Sequence, residues 1–583
     1  MADPIRIANC SGFFGDRLSG AREMVEDGPI DVLTGDWLAE LTMLILARTR
    51  LKRPNGGYAR TFVTQMEQVM GTCLDRGIKV VSNAGGLDPD GCAEDVERAA
   101  QRLGLHPKIA YVSGDDLLPR IEELLAGDQL LNFETGEPIR DASAFLTANA
   151  YLGCWGIVDA LSQGADIVIT GRVTDAAVTC GPAAWHHGWG REDWDALAGA
   201  VVAGHVIECS GQATGGNYSF FTEVEGMERI GFPWAEVAAD GSCVIGKHDG
   251  TGGQVSVGTV TSQLLYEIGG PQYFGPDVTA RFDTIEVAEV DNDRVRISGT
   301  KGEPPPSTLK VCVNRPGGYR QDIRVSLTGL DIEEKAELVL KAFWRACANE
   351  PADYELVKTR LIRSDKQDPA SNEEAGAVLQ ISVKDADESK LGRTLTSALT
   401  ETALASIPGF YGLGGAGLRP YGVYMPAKIS AEIVPQAVTI LGGETREVSS
   451  LVPHPDVRID ARPGPGGTVP GGETRRAPLG AVFGARSGDK GGNANLGIFA
   501  RSDAAFGWLD AFLTEKKLRE LLPEVEGLQV DRHRLASIHS LNFVIHGLLE
   551  EGVAASTRQD AQAKSLGEWF RARVVDLPEA LLP

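Results

Sequence analysis

One pattern repeats through the first 210 residues and limits the possible folds more than any other feature of the sequence. A short apolar run ends in small polar residues and glycine, and a segment with helical spacing follows it. Such runs between helices are typical of a parallel sheet that is covered on both faces. The runs that we interpret as strands are 5–8, 30–33, 78–81, 109–112, 167–169 and 206–209.

The residues that follow these strands are candidates for a binding site, because ligands of such sheets bind beyond the carboxyl ends of the strands. We expect backbone N–H groups at Gly85, Gly86 and Gly171 to form an oxyanion clamp. Arg172 would hold a carboxylate or phosphate at a helix N-terminus. Asp175 would orient Arg172 or act as a general base. The predicted substrate-binding residues of these loops are Asn83, Gly85, Gly86, Gly171, Arg172 and Thr174. The alternative is that they only cap helices and form turns.

The rest of the chain departs from this pattern. From residue 211 to about 305, glycine-rich loops alternate with short strand-like pieces, and a proline- and glycine-rich stretch lies between 452 and 478. We predict an N-terminal α/β domain with a glycine-rich β extension (1–306), an α+β domain (307–451), a linker (452–478) and a small α/β domain (479–583). The fold class is therefore α/β, with a parallel βα sheet at its N-terminal end.

A histidine and a carboxylate stand together in one of the glycine-rich loops, at Lys247-His248-Asp249. Histidine titrates near neutral pH, and a carboxylate beside it raises its basicity. We therefore predict His248 and Asp249, together with Asp175, as catalytic residues. Neighbouring residues of an extended chain point to opposite faces, so a surface loop without a catalytic role is the alternative interpretation.

The most specific stretch of the sequence runs from Arg486 to Asn495 and reads RSGDKGGNAN. Three glycines let backbone N–H groups turn inward, and two cations supply positive charge, so the stretch suits an anion. It is not a Walker A loop, because Lys490 is followed by two glycines. The predicted substrate-binding residues are Arg486, Ser487, Asp489, Lys490 and Asn493. The alternative is a surface hairpin with internal ion pairs.

This stretch resembles the hallmark of the C-terminal domain of the acyclic terpene utilisation family, of the AtuA type. The segments CSGFFGD from Cys10, SNAGG from Ser82 and TGRVTD from Thr170 look like the large N-terminal domain of the same family. The resemblance implies breakdown of branched or acyclic terpenoid acids as CoA thioesters. It supplies no catalytic residues, so the roles predicted for individual residues are physical inferences from this sequence alone.

Composition excludes several classes of partner. Lys and Arg number 56 against 80 Asp and Glu, and the net charge of −24 would repel nucleic acid and an anionic membrane. The nine scattered cysteines form no CxxC pair, which favours reduced thiols in a cytoplasm. The first residues lack a basic segment followed by an apolar one, so we expect no signal peptide and a cytoplasmic location.

Several cofactors and mechanisms find no support in the motifs. The first strand-to-helix turn departs from G-x-G-x-x-G, so we expect no dinucleotide cofactor. GxSxG is absent, which argues against an ordinary α/β-hydrolase, and no compact motif predicts a metal site. We expect no cofactor other than CoA as part of the substrate.

Three hypotheses for the function remain. The first is an enzyme that acts on a branched acyl-CoA or related carboxylic acid, by lyase or hydratase chemistry next to the thioester. The second is a non-catalytic acyl-binding or assembly subunit that acts with a carboxylase or hydratase. The third is a metal-dependent hydrolase. We expect a homo-oligomer that binds a small molecule.

Overall fold

The computed structural model describes residues 3–53, 56–140, 145–452, 454 and 470–583. These residues form two compact units. The first contains the chain up to Asn314, Tyr424–Val553 and Asp560–Pro583, and the second contains Arg315–Val423 and Ala554–Gln559. The structure therefore divides the chain differently from the predicted 307–451 domain, because residues 424–451 return to the first unit.

Helices and strands alternate through most of the N-terminal part of the chain. Up to residue 210 they are β1 (Ile5–Asn9), α1 (Gly20–Glu26), β2 (Val32–Gly35), α2 (Glu40–Lys52), α3 (Arg60–Arg76), β3 (Lys79–Ser82), α4 (Pro89–Leu103), β4 (Ile109–Ser113), α5 (Ile121–Ala126), β5 (Leu131–Asn132), β6 (Thr147–Ala150), α6 (Trp155–Ser162), β7 (Ile167–Thr170), α7 (Ala177–His187) and α8 (Trp194–Ile207). From there to residue 314 and beyond they are β8 (Pro233–Val237), β9 (Cys243–Lys247), α9 (Val257–Leu264), β10 (Gln272–Phe274), β11 (Thr279–Arg281), β12 (Glu286–Asp291), β13 (Arg294–Ser298), β14 (Lys301–Glu303) and β15 (Thr308–Thr328).

The second half of the chain continues the numbering. It contains α10 (Ile332–Ala346), β16 (Leu356–Ile362), β17 (Gly376–Asp385), α11 (Arg393–Glu401), β18 (Phe410–Gly412), β19 (Arg419–Ser430), β20 (Gln436–Ile440), β21 (Thr445–Val448), β22 (Thr474–Pro478), β23 (Gly484–Lys490), β24 (Asn493–Phe499), α12 (Asp503–Phe512), α13 (Glu515–Leu521), β25 (Val530–Leu535), β26 (Ser540–Ile545), α14 (Leu566–Arg571) and β27 (Val574–Pro578).

The centre of the first unit is the predicted parallel sheet. Its strands lie in the order β1-β2-β3-β7-β4, and each pair is parallel. Antiparallel strands extend it on both sides, with β8, β9, β13 and β12 beyond β1, and β20 and β21 beyond β4. The sheet is therefore mixed, whereas the sequence predicted only its parallel part. Its parallel strands are buried on both faces, which explains their apolar composition.

The sixth predicted strand, at 206–209, is wrong. Residues up to Ile207 form the last turn of α8, and every residue from Ala196 to Ile207 is buried. A helix that is buried all round shows no polar face, so its apolar run cannot be distinguished from a buried strand by periodicity alone. The segment around residue 207 nevertheless lies at the carboxyl edge of the sheet, as predicted. Asn9, at the end of β1, donates its side-chain amide to the carbonyls of Ile207 and Glu208 at 2.7 and 2.8 Å.

The C-terminal part of the first unit is a small antiparallel sheet in the order β23-β24-β26-β25, with α12, α13 and α14 packed in its core. Of the predicted linker 452–478, residues 453 and 455–469 lie outside the described residues. Its last five residues are strand β22, which pairs with β27, so the domain begins earlier than predicted.

The second unit is built around the antiparallel order β16-β17-β15, and β18 pairs with β15. Helices α10 and α11 supply Phe343, Val339 and Leu395 to its own core. Residues 554–559 complete it, because Arg320 donates to the Ser556 carbonyl. No helix in the described ranges is both long enough and apolar enough to cross a bilayer.

Candidate active site

Charged side chains from distant parts of the sequence converge at the carboxyl edge of the parallel strands in the first unit. We call this group the edge cluster. The charge of each member acts on the pKa of at least one other member, or its own pKa is changed by another member. The members are Asp36, Glu40, Arg172, Asp175, Glu208, Glu267, Lys310, Arg486, Asp489, Lys490 and Lys564.

Arg172 is the fixed cation of the cluster. Its backbone N–H donates to Asp115 at 2.9 Å, its Nη1 donates to the Leu38 carbonyl at 3.0 Å, and its guanidinium lies 4.2 Å from the centre of the Tyr151 ring. Nη1 also lies 3.0 Å from a carboxylate oxygen of Asp175. Burial opposes the charge, but Asp175 and Tyr151 outweigh it and raise the pKa of Arg172. The predicted pairing of Arg172 with Asp175 is therefore present.

Two of the three glycines predicted to form the oxyanion clamp already use their N–H groups in backbone hydrogen bonds. The N–H of Gly171 already donates to the Val112 carbonyl at 3.1 Å, and that of Gly86 donates to the Asn83 carbonyl at 3.2 Å. Gly85 is required for packing, since a Cβ there would lie 2.6 Å from the Thr170 carbonyl oxygen. These glycines shape the strand ends, and at least two of their amides have no free N–H to offer.

Asn83 holds Asp36 in place. Its amide nitrogen donates to the Asp36 carboxylate, and its oxygen accepts from the backbone N–H of Trp37 at 2.8 Å. Burial and the neighbouring Asp175 raise the pKa of Asp36 well above its usual range, against the opposing effect of Arg172. Asn83 therefore positions the Asp36 carboxyl group, whose protonated form is favoured by burial.

Glu40, at the start of α2, forms the opposite kind of carboxyl group. Its Oε1 accepts from the Tyr151 hydroxyl at 2.6 Å and lies 3.2 Å from the Lys310 ammonium. Burial opposes its ionisation, but Lys310 and Arg172 outweigh burial and lower the pKa of Glu40. The side chains of Glu40 and Lys310 keep 31 and 35% exposure although protein surrounds them. Both side chains are therefore partly open to solvent, and we call the space that they border the recess.

Glu208, immediately after α8, is buried below this recess. Burial, Asp175 and Glu267 raise the pKa of Glu208 well above its usual range, although Arg172 acts in the opposite direction. One of its oxygens lies 3.4 Å from Nδ1 of His205, and the other has no hydrogen-bond partner among the described residues. Burial lowers the pKa of His205 to about 4, so its imidazole is neutral near pH 7.

The hairpin of β23 and β24 brings cations to the cluster. Arg486 is buried and lies 4.2 Å from the centre of the Tyr266 ring, and Lys490 donates to the Glu267 carbonyl at 3.0 Å. The Lys490 side chain reaches the surface, but the protein around it displaces part of its solvent, and this desolvation together with the charge of Lys310 lowers its pKa. Burial and Glu267 raise the pKa of Asp489 to about 8. The structure thus joins the hairpin to the sheet edge.

Three other predicted residues have structural contacts. Ser487 accepts from the Gly567 N–H at 2.9 Å and fixes the start of α14. Asn493 accepts from the Gly547 N–H at 2.9 Å. The N–H of Thr174 donates to the Leu152 carbonyl at 2.9 Å. Their described contacts hold the backbone that carries the cluster.

His248 and Asp249 are not brought to the edge cluster. The His248 ring is buried against α1, where Nε2 lies 3.0 Å from the Met24 carbonyl oxygen. Burial lowers its pKa, and the charges that act on it are those of Asp27, Arg6 and Asp249. Asp249 itself is exposed. The glycine-rich loop therefore lies outside the edge cluster.

Sequence reasoning missed six members of the cluster: Asp36, Glu40, Glu208, Glu267, Lys310 and Lys564. Asp36 could have been found, because it follows the second predicted strand as Arg172 follows the fifth. Glu208 was concealed by the wrong strand assignment. Lys310, Glu267 and Lys564 follow no strand of the parallel sheet, so the strand-end rule gave no signal for them.

The fold and the cluster define an α/β protein with a network of acidic and basic groups at the carboxyl edge of a mixed sheet. Among the residues that the structure describes, no three His, Cys, Asp or Glu side chains form a group suited to a metal ion. The family model of the acyclic terpene utilisation protein AtuA matches residues 5–440, and the model of the AtuA ferredoxin-like domain matches residues 477–576.

The chain therefore belongs to the acyclic terpene utilisation family, as its motifs indicated, and its small C-terminal domain is ferredoxin-like. None of the curated proteins matches the chain.

Proposed function

We propose that the chain is an enzyme of acyclic terpenoid and branched-chain acid catabolism that acts on an acyl-CoA. The reaction would be of the lyase or hydratase type, with water added or removed, or a 3-hydroxyacyl group cleaved, next to the thioester. The family membership supports the metabolic role. The arrangement of charges in the edge cluster supports the chemistry.

The convergence of Lys310 and Lys490 carries the proposal. The two lysines are 180 positions apart, and each has an exposed or part-exposed side chain. They are close enough that the charge of Lys310, together with burial, lowers the pKa of Lys490. Two like charges held close together repel each other unless an anion lies between them. An anionic thioester substrate or the phosphates of CoA would supply that anion, with Lys564 as a further cation.

Acid–base catalysis requires one group that takes a proton and another that gives one. Asp175 is paired with Arg172 and would take the proton from the carbon next to the thioester. The electrons of that C–H bond would move to the thioester oxygen as an enolate, which the cations would stabilise. Loss of a 3-hydroxyl group as water requires a proton donor, and Glu267 and Asp489, whose pKa values are raised, would provide it.

A binding and turnover experiment tests this function. The purified chain would be incubated with branched 3-hydroxyacyl-CoA and 2-enoyl-CoA thioesters, with products followed by mass spectrometry and affinity by calorimetry. We expect Lys490→Met to weaken thioester binding at least tenfold. Lys517→Met is the matched control, because Lys517 lies in the same domain and pairs with Glu520 at the surface. Binding without turnover would instead support an acyl-binding subunit, and equal affinity of both variants would contradict the anion site.

A further inference from the structure

Glu267 occupies a special position in the edge cluster. It follows α9 and has a φ of 55°, in the left-handed region that residues other than glycine rarely adopt. Its carboxyl group hydrogen-bonds with the neighbouring Tyr266 and is influenced by Glu40, Lys490 and Lys564. Backbone strain of this kind persists only where surrounding structure enforces it, and it concentrates at functional sites.

Two buried asparagines of the ferredoxin-like domain enforce this conformation. Asn495 accepts from the Glu267 N–H at 2.9 Å and donates to the Leu265 carbonyl at 2.7 Å. Asn495 also donates to the side chain of Asn542 at 2.9 Å, and Asn542 donates to the Gly269 carbonyl at 2.6 Å. The pair therefore bonds to the backbone on both sides of Glu267. We call these two residues the asparagine clamp.

The asparagine clamp is a buried part of the fold and differs in this from an accidental contact between two surfaces. Asn495 and Asn542 have no exposed surface, and they lie on adjacent strands, β24 and β26. A buried amide that loses its partners costs much more than an exposed one. Apolar contacts, such as that of Gly497 against Leu265, would be enough to hold this sheet face in place. The two asparagine amides do something further, because they fix the backbone conformation at one acidic residue.

Access to the recess separates Glu267 from the other carboxyl groups with raised pKa values. Glu208 and Asp36 are buried, at 6 and 5% exposure, so neither can touch a substrate without movement. Glu267 is half-buried, and Gly488 of the hairpin packs closely against it, since a Cβ there would lie 3.0 Å from its Cγ. Asp489 is also half-buried, but the asparagine clamp does not hold it.

We propose that Glu267 is a catalytic proton donor of this site and that Asn495 and Asn542 are positioning residues that hold it. The ferredoxin-like domain thereby completes the active site within one chain. The inference deepens the proposed function and rests on it. In dehydration, Glu267 would give its proton to the leaving 3-hydroxyl oxygen as the C–O bond breaks, which releases water and leaves Glu267 as a carboxylate. Asp175 would then release its proton to solvent, and Glu267 would take a proton from solvent, which restores both groups for the next turnover.

Activity measurements with the same thioester panel test the catalytic part. We expect Glu267→Gln to lower kcat at least 100-fold with KM changed less than threefold. Glu520→Gln, the matched change at a surface carboxyl that pairs with Lys517, should leave kcat within twofold of the wild type. Asn495→Ala should lower kcat as well. Because Asn495 acts through Glu267, the double variant Glu267→Gln/Asn495→Ala should be no slower than Glu267→Gln alone. Asn542→Ala, which spares the bond to the Glu267 N–H, should show a smaller loss. A Glu267→Gln variant as active as the wild type would overturn the catalytic role while the proposed function stands.

Thermal unfolding tests the positioning part without turnover. Glycine adopts a positive φ without strain, so Asn495→Ala should lower Tm by fewer degrees in a Glu267→Gly background than in the wild type. Asp368→Gly is the control, because exposed Asp368 has a φ of 51° in the second unit. An equal loss of Tm on Asn495→Ala in the wild type and in the Glu267→Gly background would contradict the role of the asparagine clamp. A wild-type chain inactive on the whole panel would overturn the proposed function and the role of Glu267 together, whatever the unfolding data show.

Discussion

Two loops at the same sheet illustrate how similar sequences reach different ends. The loop after β7 contains Gly171 and Arg172, and the loop after β9 contains His248 and Gly250; both combine glycine with a cationic or titratable side chain. Arg172 lies among Asp175, Glu40 and Asp36. His248 faces the end of α1 and a main-chain carbonyl. The comparison teaches that the neighbours supplied by other segments decide whether a polar loop residue becomes part of a site.

The largest effect on stability should come from removal of the charge in the loop after β7, that of Arg172. Arg172→Met leaves several carboxyl groups without their buried cation, so we expect the free energy of unfolding to fall by about 3–5 kcal/mol. Arg6→Met is the control, because Arg6 on β1 pairs with Glu236 near the surface, and its loss should cost less than about 1 kcal/mol. Denaturant titrations measure both. Equal effects of the two changes would mean that Arg172 is an ordinary surface ion pair.

A pH titration sharpens the comparison at the base of the Arg172 loop. Burial raises the pKa of Asp115 to about 7, against the N–H of Arg172 and the amide of Asn149, which bind the same carboxylate oxygen. The folded state therefore disfavours the charged form. The stability associated with the protonated carboxyl is complete below about pH 4, the usual pKa of Asp, and is lost as the pH rises to 7.

The Asp115→Asn variant keeps an acceptor for both N–H groups and cannot titrate. We expect its free energy of unfolding to change less between pH 4 and pH 7 than that of the wild type, with about 1.4 kcal/mol for each unit of pKa shift removed. Chemical denaturation at several pH values measures this. Parallel curves for the two proteins would show that Asp115 does not titrate in this range.

The smallest effect should come from the second loop. His248→Leu removes one buried hydrogen bond to the Met24 carbonyl, which contributes about 1 kcal/mol. We expect a small decrease in Tm and turnover within twofold of the wild type in the thioester assay. A loss of turnover above tenfold would restore the role that the sequence predicted for His248.

The strand ends were predictable because they depend on local pattern. Apolar runs bounded by glycine predicted the five parallel strands and placed Arg172 and Asp175 correctly at the sheet edge. The antiparallel extension was not predictable, because strands β8, β9 and β20 join the sheet through contacts between residues far apart in sequence. The helix ending at Ile207 was missed since complete burial removes the polar face that identifies a helix.

The family, the α/β class and the two polar stretches around Arg172 and Lys490 could be recognised from the order of the amino acids. The folded chain was needed to show that these stretches meet, that Lys310, Glu208 and Glu267 join them, and that His248 does not. The physical reason is that a strand's pattern reports its own burial, whereas the ionisation of a carboxyl group depends on charges and amides brought to it by other segments. Glu267 shows this most clearly: its backbone is held by asparagines 228 and 275 residues further along the chain.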